Sequence, residues 1–171
     1  MDGFIYNQKQ IPKEKWRYGF RSSAATGCGW IATYNALKLM GYDADPEDLI
    51  RDYQRQVPLI NGNTGTVLFG PALRFRQWGF PVKTVLKRED FDRAAKEADV
   101  CILFYRWVKK YQYGAHFVAL RYTDEGFIGY NTYSNSSGPD KYGPSLSEFL
   151  KKRKYFGAVL FPIRNIEGVN V

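Results

Sequence analysis

A single cysteine flanked by glycines stands where a loop gives way to a helix, and this junction restricts the fold more than any other stretch. Small residues lead into Gly27-Cys28-Gly29, and apolar residues then recur three positions apart (Ile31, Tyr34 and Leu37). This spacing predicts a helix from Cys28 to about residue 40 with one buried face. Free N–H groups and the positive end of the helix dipole favour a thiolate at Cys28. The same pattern also fits a small buried cysteine at a tight turn.

The remaining elements are predicted with helices before strands. Residues 4–21 form an irregular extended strap, and two helices follow at 28–40 and 45–56. A loop at 57–66 leads into a third helix that ends at residue 78. This third helix begins near Thr66 or, because a proline interrupts it, near Pro71. Beyond residue 80 we predict strands at 81–86, 100–105, 115–122, 126–133 and 155–163, helices at 87–98 and 145–154, and a loop at 135–144. This order predicts an α+β fold, in which a helical half packs against a mainly antiparallel, twisted sheet.

Length and composition predict one folded domain over residues 1–171, with 44% hydrophobic and 17% aromatic residues. Two cysteines are too few for a disulfide framework, and Cys101 is predicted to pack in the core of an apolar strand. No apolar run is long enough to span a bilayer. Because Met1 is not followed by a basic and then an apolar segment, a cytoplasmic location is expected, or a secreted one if a leader precedes this sequence.

The chain is basic, with a formal net charge of +8 and a pI near 9.4. Such a balance favours anionic partners, which include nucleic acids and acidic peptides. None of the common nucleic-acid-binding signatures is present, so nucleic acid is disfavoured and an acidic peptide or protein is the favoured partner. The sequence does not predict an oligomeric state.

The only histidine, His116, stands at the start of a predicted strand after two small residues. One histidine and two distant cysteines do not supply a metal-ligand set, and no cofactor is predicted. A histidine bonded at a sheet edge is the structural alternative to a catalytic one. The hairpin that follows supplies a possible partner for the ring. If Thr123 and Gly126 flank a two-residue turn, Asn131 lies diagonally from His116 on the same face, where its carbonyl can hold one imidazole nitrogen.

Cysteine, histidine and asparagine in this order fit a nucleophilic thiol with a nearby imidazole as acid and base. The chain resembles the bacterial papain-like cysteine peptidases of the bacteriocin-processing (double-glycine leader peptidase-like) group. The resemblance is carried by Tyr6-Asn7-Gln8 with the following Trp16 and Tyr18-Gly19, by Gly27-Cys28-Gly29, by Gly114-Ala115-His116-Phe117-Val118 and by Gly129-Tyr130-Asn131.

The resemblance implies a papain-like cysteine proteinase fold and a thiol hydrolase that cleaves peptide or related amide bonds through an acyl-cysteine intermediate. It implies Cys28 as nucleophile, His116 as acid and base, Asn131 as the orienting residue and Gln8 as the oxyanion donor, with Gln10 as a competitor for the last role. The same residues also fit an acyltransferase, or a non-catalytic module that binds a peptide or an anion.

Overall fold

The helical half of the molecule precedes the sheet, as the sequence predicts. The computed structural model describes residues 3–56, 64–166, 168, 169 and 171. A 3-10 turn at Gln8–Gln10 opens the chain and is followed by β1 (Arg17–Tyr18), β2 (Arg21–Ser22), α1 (Ser23–Thr26), α2 (Cys28–Leu39), α3 (Pro46–Gln56) and α4 (Gly70–Gln77). A 3-10 turn at Arg88–Asp90 then leads into α5 (Phe91–Lys96), β3 (Val100–Lys109), β4 (Gln112–Thr123), β5 (Gly126–Tyr130), β6 (Asp140–Gly143), α6 (Leu146–Lys152) and β7 (Phe156–Ile163).

One five-stranded antiparallel sheet, in the order β6-β5-β4-β3-β7, separates two hydrophobic clusters. The first cluster joins α2, α3 and α4 to one face of the sheet, and Trp30 and Phe161 are fully buried within it. The second joins α5 and α6 to the opposite face, and it contains the fully buried Cys101. Side chains alternate along β3 between the two clusters, as the period of a strand requires. The result is the predicted α+β arrangement of helices against a mainly antiparallel sheet.

Several predicted helices begin where the sequence indicates. The helix α2 starts at Cys28 and ends before Met40. Asp45 caps α3, because its side chain accepts hydrogen bonds from the N–H groups of the first turn. The helix α4 begins only at Gly70, with Pro71 in its first turn, where the missing N–H of proline costs nothing. Most of the loop predicted at 57–66 lies outside the described residues.

Two predictions about strands were wrong. Residues 81–86 form no full strand, and only two isolated bridges, Val82 with Ile163 and Val85 with Leu160, join them to β7. Pro81 and Pro162 lack N–H groups and so interrupt the ladder there. The segment predicted as a loop at 135–144 contains β6, which pairs with β5 at the edge of the sheet. Within the described residues, no helix is both long and apolar enough to cross a membrane.

Candidate active site

The Cys28 thiol lies against the strand that carries the histidine. Cys28 is the first residue of α2 and is half-buried. Its sulfur lies near the main-chain N–H of Phe117, the residue that follows His116 in β4. The packing of α2 against β4 therefore brings the thiol from the helical half beside the main chain of the residue that follows His116.

The protonation of Cys28 is governed by two opposing effects. Burial raises the pKa of the Cys28 thiol, whereas the N–H groups of Phe117, Cys28 and Gly29 and the charge of Lys9 lower it. The net change is upward. The N–H groups at the helix terminus act in the direction that the sequence predicts, but burial outweighs them. Burial therefore favours the neutral thiol over the thiolate.

The His116 ring is fixed by a main-chain carbonyl. Its Nε2 atom lies 2.6 Å from the main-chain oxygen of Asn131. A carbonyl oxygen only accepts hydrogen bonds, so Nε2 must carry the proton and the neutral ring keeps its lone pair on Nδ1. Burial lowers the pKa of His116, and the charge of Lys9 lowers it further, while the bond to Asn131 raises it. The site thus holds a neutral imidazole with one nitrogen available as a base.

The hairpin register that places Asn131 beside His116 agrees with the sequence prediction. Thr123 pairs with Gly126 and Ala119 pairs with Tyr130, as a two-residue turn requires. The strand β5 then ends, because Asn131 adopts a left-handed conformation with φ of 64°. Asparagine tolerates this conformation better than most residues. The turn aims the main-chain oxygen of Asn131 at the ring, whereas the sequence predicts its side-chain carbonyl there.

The side chain of Asn131 instead holds Gln8. The main-chain N–H of Gln8 donates to Asn131 Oδ1 at 2.8 Å, and Asn131 Nδ2 donates to Gln8 Oε1 at 3.0 Å. The remaining end of the glutamine, Nε2, donates to the main-chain oxygen of Ala24 at 3.3 Å, one short turn before Cys28. Gln8 is buried and lines the same cleft as His116, whereas Gln10 is exposed. No local sequence pattern predicts this amide pair, because it joins segments 123 residues apart.

A second hydrogen bond that joins the N-terminal strap to the segment after β5 is also not predictable from the sequence. The Nδ2 atom of Asn7 donates to the main-chain oxygen of Ser134 at 2.7 Å. Together with the Gln8–Asn131 pair, it fastens residues 7–10 of the N-terminal strap to the segment that follows β5. The strap thus closes one side of the cleft and holds Gln8 in place.

The two glycines that flank Cys28 allow neighbouring parts of the protein to pack closely against the main chain. A Cβ at Gly29 would overlap the side chain of Thr66, and a Cβ at Gly27 would lie 2.7 Å from the main-chain oxygen of Ser23 and 2.7 Å from the indole nitrogen of Trp30. That indole N–H donates to Ser23 Oγ at 3.0 Å. The glycines therefore let α1 and Thr66 pack closely around the start of α2.

A cleft of about 760 Å³ opens over His116, Asn131 and Gln8. Four aromatic side chains contribute to its lining, namely Tyr105, Trp107, Tyr133 and Tyr155. Tyr105 and Tyr155 stack with their ring centroids 4.3 Å apart. Trp107 lies over Gly114, where a Cβ would overlap its indole ring. The absence of a side chain at Gly114 thus sets the position of one wall of the cleft.

In the described parts of the chain, no group of three or more His, Cys, Asp or Glu side chains is placed to hold a metal ion. The residues around the cleft are instead amides, phenols, an indole and basic side chains. They can orient a substrate by hydrogen bonds, stacking and charge.

Comparison with solved structures identifies the architecture. The peptidase domain of Streptococcus ComA, a bifunctional ABC transporter involved in a quorum-sensing pathway, superposes with a TM-score of 0.51 at 13% identity. The match covers 81% of this chain and 91% of that domain. The chain has the papain-like peptidase fold. No family model matches the sequence, and neither does any curated protein. At this low identity the similarity establishes the fold alone.

Proposed function

We propose that this protein is a thiol hydrolase that cleaves peptide or related amide bonds through an acyl-cysteine intermediate. In this proposal Cys28 is the nucleophile and His116 is the general acid and base. One observation carries it: the bond from His116 Nε2 to the Asn131 main chain leaves Nδ1 as the basic nitrogen, and the Cys28 thiol lies beside the same strand. The papain-like fold of a peptidase domain supports the same reaction class.

The first half of the reaction transfers the acyl group to sulfur. His116 Nδ1 takes the thiol proton as Cys28 Sγ bonds to the carbonyl carbon, and the carbonyl π electrons move to oxygen. When the tetrahedral intermediate collapses, the C–N bond breaks, its electrons go to nitrogen, and the imidazolium gives that nitrogen its proton. The amine leaves and a thioester remains on Cys28.

The second half returns the enzyme to its starting state. A water molecule attacks the thioester carbon while His116 Nδ1 takes one of its protons. The C–S bond breaks with its electrons on sulfur, and the imidazolium returns the proton to the thiolate. The carboxylic acid product leaves, and the neutral thiol and imidazole are restored.

The negative charge on oxygen in both tetrahedral intermediates needs hydrogen-bond donors. The main-chain N–H of Cys28, at the start of α2, is one candidate, and Gln8 Nε2 is the other. One N–H of Gln8 Nε2 points to Ala24, and the second is available for a substrate oxygen. Gln8 is favoured over Gln10 because Gln8 lines the cleft and is held there by Asn131.

The proposal is tested by incubating the wild-type protein with a proteome-derived peptide library and sequencing the new termini. We expect cleavage by the wild type, none by Cys28→Ala, and a loss of at least about a hundredfold in His116→Ala. Cys101→Ala is the matched control and should cleave like the wild type, because Cys101 is buried in the opposite cluster. Full activity in Cys28→Ala or His116→Ala would contradict the proposal.

Two other outcomes would identify the alternative functions. Products that carry a new amide to an added amine, in place of a free carboxylate, would indicate acyl transfer from the same thioester. Peptide binding without cleavage by the wild type, unchanged in Cys28→Ala, would indicate a non-catalytic binding module on this fold.

A further inference from the structure

The cleft over His116 is lined by cations from three separate elements. Lys9 belongs to the strap, Lys109 ends β3, and Arg153 follows α6, and all three are exposed side chains that line the cleft. No aspartate or glutamate is among the described residues that line it. The remaining polar lining groups are neutral amides, hydroxyls and the imidazole. The cleft thus carries a local positive charge that a substrate can complement.

The three cations are not neutralised by the described part of the chain. Its ion pairs use other basic residues, namely Arg51, Arg74, Arg93 and Lys141. Arg153 is held by an aromatic partner, with its guanidinium 4.9 Å from the centroid of the Tyr133 ring. Asp140, which acts electrostatically on Tyr133, is engaged by Ser136 Oγ at 2.6 Å. Arg153 also donates a hydrogen bond to the Tyr133 hydroxyl. It has no carboxylate partner among the described residues, and its other guanidinium donors remain available to a ligand.

The charge of Lys9 reaches the reacting groups. It lowers the pKa of Cys28 and that of His116. His116 itself lines the same cleft as Lys9, Lys109 and Arg153, so a ligand that binds these cations occupies the cleft in which the candidate base lies.

From this arrangement we infer that the cleft selects substrates that carry a carboxylate close to the scissile bond. The inference rests on the proposed thiol hydrolase activity and specifies its substrate class. Arg153 and Lys109 are the recognition residues, and the stacked Tyr105 and Tyr155 form an adjacent aromatic wall. An Asp or Glu side chain and the terminal carboxylate of a short peptide share this chemistry, and the test separates them.

The test starts from the cleavage sites found in the peptide library. We expect Asp or Glu to be enriched at one fixed position near the cleaved bond. For the best site, two synthetic peptides that differ only by Glu or Gln at that position are compared, both with amidated and with free C-termini. Because a charged hydrogen bond is stronger than a neutral one, kcat/KM should favour Glu by about tenfold at low salt. A preference for the free C-terminus alone would assign the terminal carboxylate as the recognised group.

Charge-removing variants locate the recognition. In Arg153→Gln or Lys109→Gln the Glu-to-Gln ratio of kcat/KM should fall to about three or less. Lys152→Gln is the matched control, because Lys152 is exposed on α6 next to Arg153 but does not line the cleft; it should keep the wild-type ratio. Lys9 is left unchanged, since its charge also acts on Cys28 and His116.

The outcomes separate this inference from the function on which it rests. Cleavage that depends on Cys28 but shows no preference for a carboxylate would overturn the inference and leave the hydrolase intact. A preference that survives in both Arg153→Gln and Lys109→Gln would overturn the assigned residues. No cleavage by the wild type would overturn the hydrolase and the substrate class together.

Discussion

Asn131 connects the two parts of the site through different atoms. Its main-chain oxygen binds the His116 ring, and its side-chain amide binds Gln8. In a thiol hydrolase these contacts would separate two tasks, because the main chain fixes the base and the side chain fixes an oxyanion donor. The left-handed backbone of Asn131 makes both contacts possible from one buried residue.

This division predicts how Asn131 variants behave. Asn131→Gly and Asn131→Ala should both lower kcat by about ten- to hundredfold, because Gln8 loses its partner while the main-chain bond to His116 remains. Each should also lower the free energy of unfolding by about 2–4 kcal/mol, since the N–H and Oε1 of Gln8 lose their hydrogen bonds. The alanine variant should be the less stable of the two, because its side chain is strained at positive φ.

Nitrogen NMR of the single histidine reports which ring nitrogen carries the proton. A general loss of structure would not reproduce the expected result. In both variants the neutral ring should keep its proton on Nε2. Movement of that proton to Nδ1, or wild-type kcat in Asn131→Gly, would contradict the assignment.

At the scale of elements, the sequence predicts whatever depends on local periodicity and turn chemistry. The helix α2 and the β4–β5 register follow from apolar spacing and from a two-residue turn, and both agree with the structure. The strand β6 was not predicted because it is a short edge strand within a glycine- and proline-rich segment. The contacts of Gln8 and Asn131 were not predictable either, because no local pattern fixes how an irregular strap crosses a distant strand end.

The outer part of the β3–β4 hairpin also shapes the cleft, through Trp107 and Gly114. Gly114→Ala should displace the Trp107 indole from its place in the wall. We expect KM to rise by about three- to tenfold with a smaller change in kcat, and the tryptophan emission to shift. The matched control is Gly138→Ala, because a Cβ at Gly138 meets open space and its φ is not positive. Equal effects of the two substitutions would contradict the role assigned to Gly114.

At the scale of the whole molecule, the candidate site lies where the helical half meets the sheet. The thiol comes from the start of α2, and the imidazole comes from β4, the strand against which α2 packs. Cys28 packs against the hydrophobic cluster that joins α2, α3 and α4 to one face of the sheet, so the position of the thiol beside β4 depends on that packing. Burial at this junction disfavours the charged form of both groups. It raises the pKa of Cys28 and lowers that of His116, which favours a thiol and an imidazole over a preformed ion pair.

The pH dependence of Cys28 alkylation by iodoacetamide, in the wild type and in His116→Ala, tests this pairing most directly, because it needs no substrate. Peptide mapping separates Cys28 from Cys101, whose pKa is raised by burial.

In the wild type the alkylation rate of Cys28 should rise as the pH increases through the pKa of His116, which burial lowers below its ordinary value of about 6.5. Above that pH the neutral imidazole accepts the thiol proton. The rate should stay level near neutrality and rise again at a pH well above about 8.5, the ordinary pKa of a cysteine, because burial raises the pKa of the Cys28 thiol. His116→Ala should lose the first rise and keep the second. Identical profiles for the two proteins would contradict the account.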